Sequence, residues 1–149
     1  MPFTVQLNAR LRPIQYLDLT ASTGIEVAPT LASQLRLDVV AEAAFLDASD
    51  ATTTTVTASL VRLDPELPAY VVAGVPVDLS IAADAQGLIG IGPRGATTSS
   101  VRLITDETGE VSTTISSTAP GVVGDGFVLA RAWIDEGLFV AVVRVPVVP

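Results

Sequence analysis

Apolar and polar residues alternate along most of this chain after Ser33, in short runs that end at polar turns. Such alternation places the apolar side chains on one face of a β-strand. About seven strands are predicted, marked by Leu35, Leu37 and Val39; Val56, Ala58 and Leu60; Val75, Val77, Leu79 and Ile81; Val101 and Leu103; Val111 and Ile115; Phe127 to Ile134; and Leu138 to Val148. Closely spaced strands favour a β-sandwich over a fold that alternates strands and helices.

Three segments allow more than one interpretation. Residues Val39 to Asp47 have a partly helical pattern, but their neighbours are strands, so a strand with a bulge is preferred. Residues Gly87 to Gly95 are rich in glycine, lack the Gly-Lys-Ser/Thr ending of a phosphate-binding loop, and predict a flexible connection between sheets or a loop that contacts a partner. Pro76 lacks an amide donor, so its strand is expected to be an edge there or to start at a bulge.

The chain divides into an N-terminal arm, residues 1–33, and a domain, residues 34–149. Thr4 to Leu11 alternates like a strand, but the arm holds too few apolar residues to form a core alone. Its end, Ala28 to Ser33, is typical of a linker.

Three motifs follow one another in the domain: the Thr-rich run Asp50 to Leu60, the Gly-Val-Pro-Val strand that starts at Gly74, and the Thr-Asp-Glu-Thr-Gly-Glu-Val-Ser-Thr-Thr segment that starts at Thr105 and continues to Gly121. In order and spacing they resemble the bacterial immunoglobulin-like domains of invasin and intimin adhesins. The resemblance covers residues 34–149. It implies an all-β, immunoglobulin-like β-sandwich, to which this chain adds an extended N-terminal arm. Within it, Asp106 to Gly109 is expected to form a β-turn.

The last two strands predict an interaction surface. If the turn at Asp135 to Gly137 leaves an even number of loop residues, Arg131 and Arg144 share one face. That face is expected to point outward, because unpaired arginines are rarely buried. The candidate interface residues on it are Phe127, Leu129, Arg131, Trp133, Val140, Val142 and Arg144. An outer face this apolar is expected to be covered, either by the arm or by another subunit; the alternative is that these residues are ordinary scattered apolar residues of the surface.

Composition argues against catalysis. The chain contains no histidine and no cysteine, so it lacks the commonest general base, the thiolate nucleophile and the usual zinc ligands. No spacing implies the paired carboxylates of a hydrolase. Several acidic loop residues could bind calcium, but without the spacing of a known calcium loop they are better interpreted as solvated turns: Asp47, Asp50, Asp106, Glu107, Glu110, Asp125, Asp135 and Glu136. We therefore predict no catalytic residue, no cofactor and no metal.

Charge and hydropathy exclude two further classes of partner. The net charge is −8 and the eight basic residues, all arginine, are scattered from Arg10 to Arg144, which argues against nucleic-acid binding. The apolar run Leu138 to Pro149 is too short to span a bilayer and contains Arg144, so no membrane segment is predicted. The first residues lack the basic and apolar regions of a signal peptide.

These inferences favour a non-enzymatic virion structural protein of a bacteriophage, either a capsid decoration (cement) protein or a tail or fibre protein, because phage particles display immunoglobulin-like modules of this class. Its partners would be protein subunits, such as the major capsid or tail protein, with self-association that is most simply trimeric. The alternative is a bacterial cell-surface adhesin or fibre module. A carbohydrate-binding domain is disfavoured because Trp133, Tyr16 and Tyr70 are the only tryptophan and tyrosines.

Overall fold

Two β-sheets pack face to face in the part of the chain that the computed structural model describes, residues 31–49 and 52–149. One sheet has the strand order β1-β3-β7-β5 and the other β2-β9-β8-β4-β6. The nine strands of this part are β1 Leu35–Ala41, β2 Leu46–Asp47, β3 Thr53–Arg62, β4 Pro76–Ile81, β5 Ile89–Ile91, β6 Ser100–Ile104, β7 Glu110–Ser117, β8 Gly124–Ile134 and β9 Gly137–Val148. The predicted β-sandwich is confirmed. Residues 1–30 of the predicted arm lie outside the described residues.

The core lies between the two sheets and is built by the alternation seen in the sequence. Along β3 and β4 every second side chain is buried, because successive side chains of a strand point to opposite faces. The largest fully buried apolar side chains come from both sheets: Leu46, Val56, Val77, Leu79, Ile89, Ile115, Val128 and Val145.

The segment Val39 to Asp47 is not helical, but instead of one bulged strand it forms the end of β1, a bend and β2, and it carries the chain from one sheet to the other. β1 pairs with β3, the chain bends after Ala41, and β2 then pairs in parallel with the end of β9. The Glu42 N–H donates to the Thr55 carbonyl (2.9 Å) and the Ala43 N–H to the buried Thr54 hydroxyl (2.8 Å). These bonds satisfy the backbone at the bend, so no helix is needed there.

The glycine-rich segment Gly87 to Gly95 is not simply a flexible connection, and that prediction is wrong for its centre. Ile89–Ile91 form β5, a fully buried edge strand that pairs with β7. A Cβ atom on Gly90 would lie 2.5 Å from the Thr97 Cβ atom, so only glycine fits between the strand and the following loop. Three residues buried on both faces show no alternation, which is why the pattern missed this strand.

Pro76 lies where β4 has a neighbouring strand on one side only, as expected. β4 as a whole lies between β8 and β6. Pro76 is its first residue and pairs with Ile104 of β6, whereas pairing with β8 begins only at Asp78. The missing amide donor therefore costs no hydrogen bond within the ladder to β8.

The turn between β6 and β7 forms as predicted. The Asp106 carboxylate accepts hydrogen bonds from the Thr108 N–H (2.9 Å), the Thr108 hydroxyl (2.7 Å) and the Glu110 N–H (3.0 Å). Gly109 adopts a φ of +86°, and a Cβ there would lie 2.7 Å from the Leu60 carbonyl oxygen. The turn is thus held against β3 by a position that only glycine can fill.

The described chain begins at Leu31, which packs against the core, and continues into the first of three short 3-10 segments, which are Ala32–Gln34, Ala69–Val72 and Ala83–Ala85. No helix among residues 31–49 and 52–149 is long and apolar enough to cross a membrane.

Candidate interaction surface

A two-residue turn brings the sequence-predicted interface residues onto one face. Ile134 pairs with Gly137, so the β8–β9 loop consists of Asp135 and Glu136. Asp135 has a φ of +54°, a left-handed conformation that aspartate adopts more readily than most residues. Because the loop has an even number of residues, the register pairs Phe127 with Arg144, Leu129 with Val142, and Arg131 with Val140.

That face is the outer one. The alternate residues of β8, Val128, Ala130 and Ala132, are fully buried in the core, so their neighbours in sequence point away from it. Phe127, Leu129 and Arg131 are half-buried on the outer face, and Arg144 is exposed.

Four exposed apolar side chains form the centre of this face, and we call them the apolar ladder: Trp133 (56% exposed), Leu138 (52%), Val140 (51%) and Val142 (53%). Trp133 lies directly opposite Leu138. Covering the exposed half of each side chain would contribute about 1 kcal/mol per residue. Packing of another apolar surface on the ladder would therefore stabilise the protein substantially.

Leu138 is the ladder residue that the sequence prediction missed. It lies two positions before Val140 and so belongs to the same face by simple alternation. The signal for this position was therefore present in the sequence.

Both predicted arginines of this face have acidic neighbours. Arg144 forms an ion pair with Asp125 at 2.8 Å. Arg131 lies opposite Asp78 of β4, which in turn pairs with Arg102 of β6 through two hydrogen bonds of 2.7 and 3.0 Å. The hydrogen bonds from Arg102, together with the positive charges of Arg102 and Arg131, lower the pKa of the Asp78 carboxyl. These exposed pairs contribute little stability, but they balance the positive charges of the arginines that lie beside the ladder.

The outer face of the other sheet is different in character. There β3 and β7 present hydroxyl side chains to solvent: Thr53, Thr55, Thr57, Ser59, Ser112 and Thr114. The Thr57 and Ser112 hydroxyls lie opposite each other and are hydrogen-bonded at 2.9 Å. A hydroxyl face is already well solvated, so of the two outer faces the ladder face gains more from being covered by apolar surface.

The acidic loop residues considered for calcium are mostly engaged in turns. The Asp47 carboxylate accepts hydrogen bonds from the Ser49 hydroxyl (2.7 Å) and N–H (2.9 Å), which lower the pKa of Asp47. Asp106 is held in its turn, and Asp125 is paired with Arg144. Asp50 lies outside the described residues. Within the described ranges, no three acidic side chains come close enough together to hold a metal ion.

Comparisons with known proteins reveal the fold. No protein-family model matches the chain, and no curated protein matches it. The solved structure of the D00-D0 domain of intimin is similar with a TM-score of 0.51 and 18% identity, over 91% of this chain and 54% of that chain. The D0-D1 domain of intimin matches with a TM-score of 0.46 and 15% identity, over 76% of this chain and 47% of that chain. The human F-spondin reeler domain matches with a TM-score of 0.44 and 10% identity, over 76% of this chain and 89% of that chain.

The present chain spans about half the length of the two intimin structures that it matches. At 18% identity the likeness concerns the fold, and it agrees with the resemblance that the three sequence motifs carry. The chain therefore has the immunoglobulin-like β-sandwich fold of the bacterial invasin and intimin type.

Proposed function

We propose that this chain is a non-enzymatic structural module of a bacterial surface adhesin or fibre, in which another protein segment packs on the outer face of the β8–β9 sheet. The observation that carries the proposal is the apolar ladder, a continuous apolar strip on the outside of an intimin-type sandwich. A sheet face of this kind is typical of a contact surface between protein segments.

We propose a non-enzymatic role because of the side chains that the chain offers. The sequence supplies no imidazole and no thiol. The carboxylates of Asp47, Asp78 and Asp106 are occupied by hydrogen bonds or an arginine. Packing requires none of these groups to react, only a fixed surface, which the β8–β9 hairpin provides.

The intimin likeness supports the adhesin or fibre alternative of the sequence analysis more than the bacteriophage hypothesis. None of the structures named above is described as a phage protein. A virion location, capsid or tail partners and trimeric self-association therefore stay predictions.

The proposal is tested by locating the protein. Intact cells of the organism that encodes it are treated with protease, and the released peptides are quantified by mass spectrometry beside phage particles purified from the same culture. A surface module is released from intact cells while a cytosolic marker is retained. Recovery of the chain only from the particles would overturn the proposal and restore the virion hypothesis.

A further inference from the structure

We propose that residues 1–30 of the same chain cover the apolar ladder, with the alternating run Thr4 to Leu11 lying along β9. The inference names the occupant of the face on which the proposed function rests. It is independent of whether the module belongs to a cell surface or to a virion.

The first argument is the point at which the described chain begins. Leu31 packs against the core, and the Cβ atom of Ala32 would lie 3.0 Å from a Cβ atom placed on Gly137. Gly137 is the first residue of β9, and the next pair of the hairpin is Trp133 with Leu138. Gly137 shares the inward face with its partner Ile134, so Leu31 and Ala32 lie on the core side of the hairpin, at the end where the ladder starts.

The second argument is reach. The ladder and the residues beyond it, from Leu138 to Arg144, extend about 20 Å along β9. Thirty residues precede Leu31 in the sequence, and an extended chain of that length spans up to about 100 Å. The arm is thus long enough to run the full length of the face even after a loop.

The third argument is an unpaired strand edge. On the side away from β8, the strand that pairs with β9 in the described part is β2, and it pairs only with Val147 and Val148. The remainder of β9, from Gly137 to Pro146, has no strand partner on that side among the described residues. A chain that crosses this edge displaces no strand of the described part, so the edge gives the residues before Leu31 a path to the outer face of the hairpin.

The fourth argument is the pattern of the arm itself. Val5, Leu7, Ala9 and Leu11 alternate with polar residues, so a strand over this run has one apolar face and one polar face. The apolar face of this strand would pack on the ladder, and its polar face would then be the surface exposed to solvent. A run of eight residues is about 26 Å long, which is similar to the length of the face.

Trp133 makes the proposal measurable because it is the only tryptophan of the chain and lies in the ladder. In the full chain, a variant with Leu7→Ser and Leu11→Ser is compared with a control that carries Gln6→Ser and Asn8→Ser. We expect the first variant to show red-shifted Trp133 emission and severalfold stronger acrylamide quenching, and the control to behave as the unmodified chain. Equal emission and quenching in all three proteins would overturn the proposal.

A cross-linking experiment identifies the occupant directly. Since the chain has no cysteine, Val140→Cys introduces a single attachment site for a photoactivated cross-linker, and Thr57→Cys places the same site on the hydroxyl face as a control. We expect peptides from residues 1–30 to be captured from Val140→Cys in molecules of monomer mass, and not from Thr57→Cys. Capture only in dimers or larger species would overturn the proposal in favour of a second copy, and capture of no arm peptide would also overturn it. Neither result would change the cellular location on which the proposed function is tested.

Discussion

Trp133 and Leu138 lie directly opposite each other across the β8–β9 hairpin, and each leaves more than half of its surface exposed. The preceding pair, Ala132 with Phe139, points inward. The two-residue turn fixes which pair is inside, because a shift of one residue would exchange the two faces. The exposed apolar ladder is therefore a direct consequence of the turn length.

Two valines of the hairpin separate core packing from surface packing. Val128→Ala removes a fully buried side chain and is expected to lower the free energy of unfolding by about 2 kcal/mol. Val142→Ala, on the outer face, is expected to cost about 1 kcal/mol or less. Urea denaturation of both variants measures the difference, and equal losses would show that the two faces are not distinguished as described.

Gly109 is expected to tolerate substitution far less than Gly121, although both have positive φ. Gly121→Ala has open space around the new Cβ, so it should cost only the conformational strain, about 1–2 kcal/mol. Gly109→Ala adds a collision with the Leu60 carbonyl oxygen at 2.7 Å and the Val72 Cβ at 2.9 Å, so its loss should be clearly larger. Thermal unfolding of the two variants checks this order. Similar melting temperatures would contradict the close contact at Gly109.

The buried position of β5 predicts a compensating pair of substitutions. Gly90→Ala should destabilise the fold by about 1–3 kcal/mol, because its Cβ would meet the Thr97 side chain. Thr97→Gly removes that side chain, so the double variant should recover part of the loss. A double-mutant cycle in urea measures the coupling, and strictly additive effects would mean that the two positions do not touch.

Acid sensitivity follows from the Asp106 turn. Hydrogen bonds from the Glu110 N–H and from Thr108 lower the pKa of Asp106 in the folded chain below its value of about 3.9 in the unfolded chain. A lowered pKa contributes stability that is present above the unfolded value and is lost as the pH falls through the folded value. The free energy of unfolding of the Asp106→Asn variant should therefore fall less steeply than that of the unmodified chain as the pH drops below about 4.

The control for this measurement is Glu136→Gln, which removes a carboxylate from the exposed hairpin turn. Unfolding midpoints are compared across the acid range for the unmodified chain and both variants. If the unfolding midpoints of Asp106→Asn and Glu136→Gln change with pH in the same way, the Asp106 turn does not determine the loss of stability in acid.

Local pattern alone was enough to predict the sandwich, the outward face of the β8–β9 hairpin and the turn at Asp106. Each depends on residues that are close in sequence: alternation places side chains on one face of a strand, and a short polar turn fixes the register of the two strands it joins. Arg131 and Arg144 indicated which of the two faces is the outer one, because unpaired arginines are rarely buried.

Strand neighbours that are distant in sequence were decided only by the tertiary structure. Nothing in the sequence around Asp78 indicates that it lies between Arg131 and Arg102, because three separate strands must first come together. The burial of β5 likewise depends on Thr97 and β7, which close over a run too short to show a period. Sequence alternation thus determined which side chains share a face, whereas the long-range pairing of strands decided what each face meets.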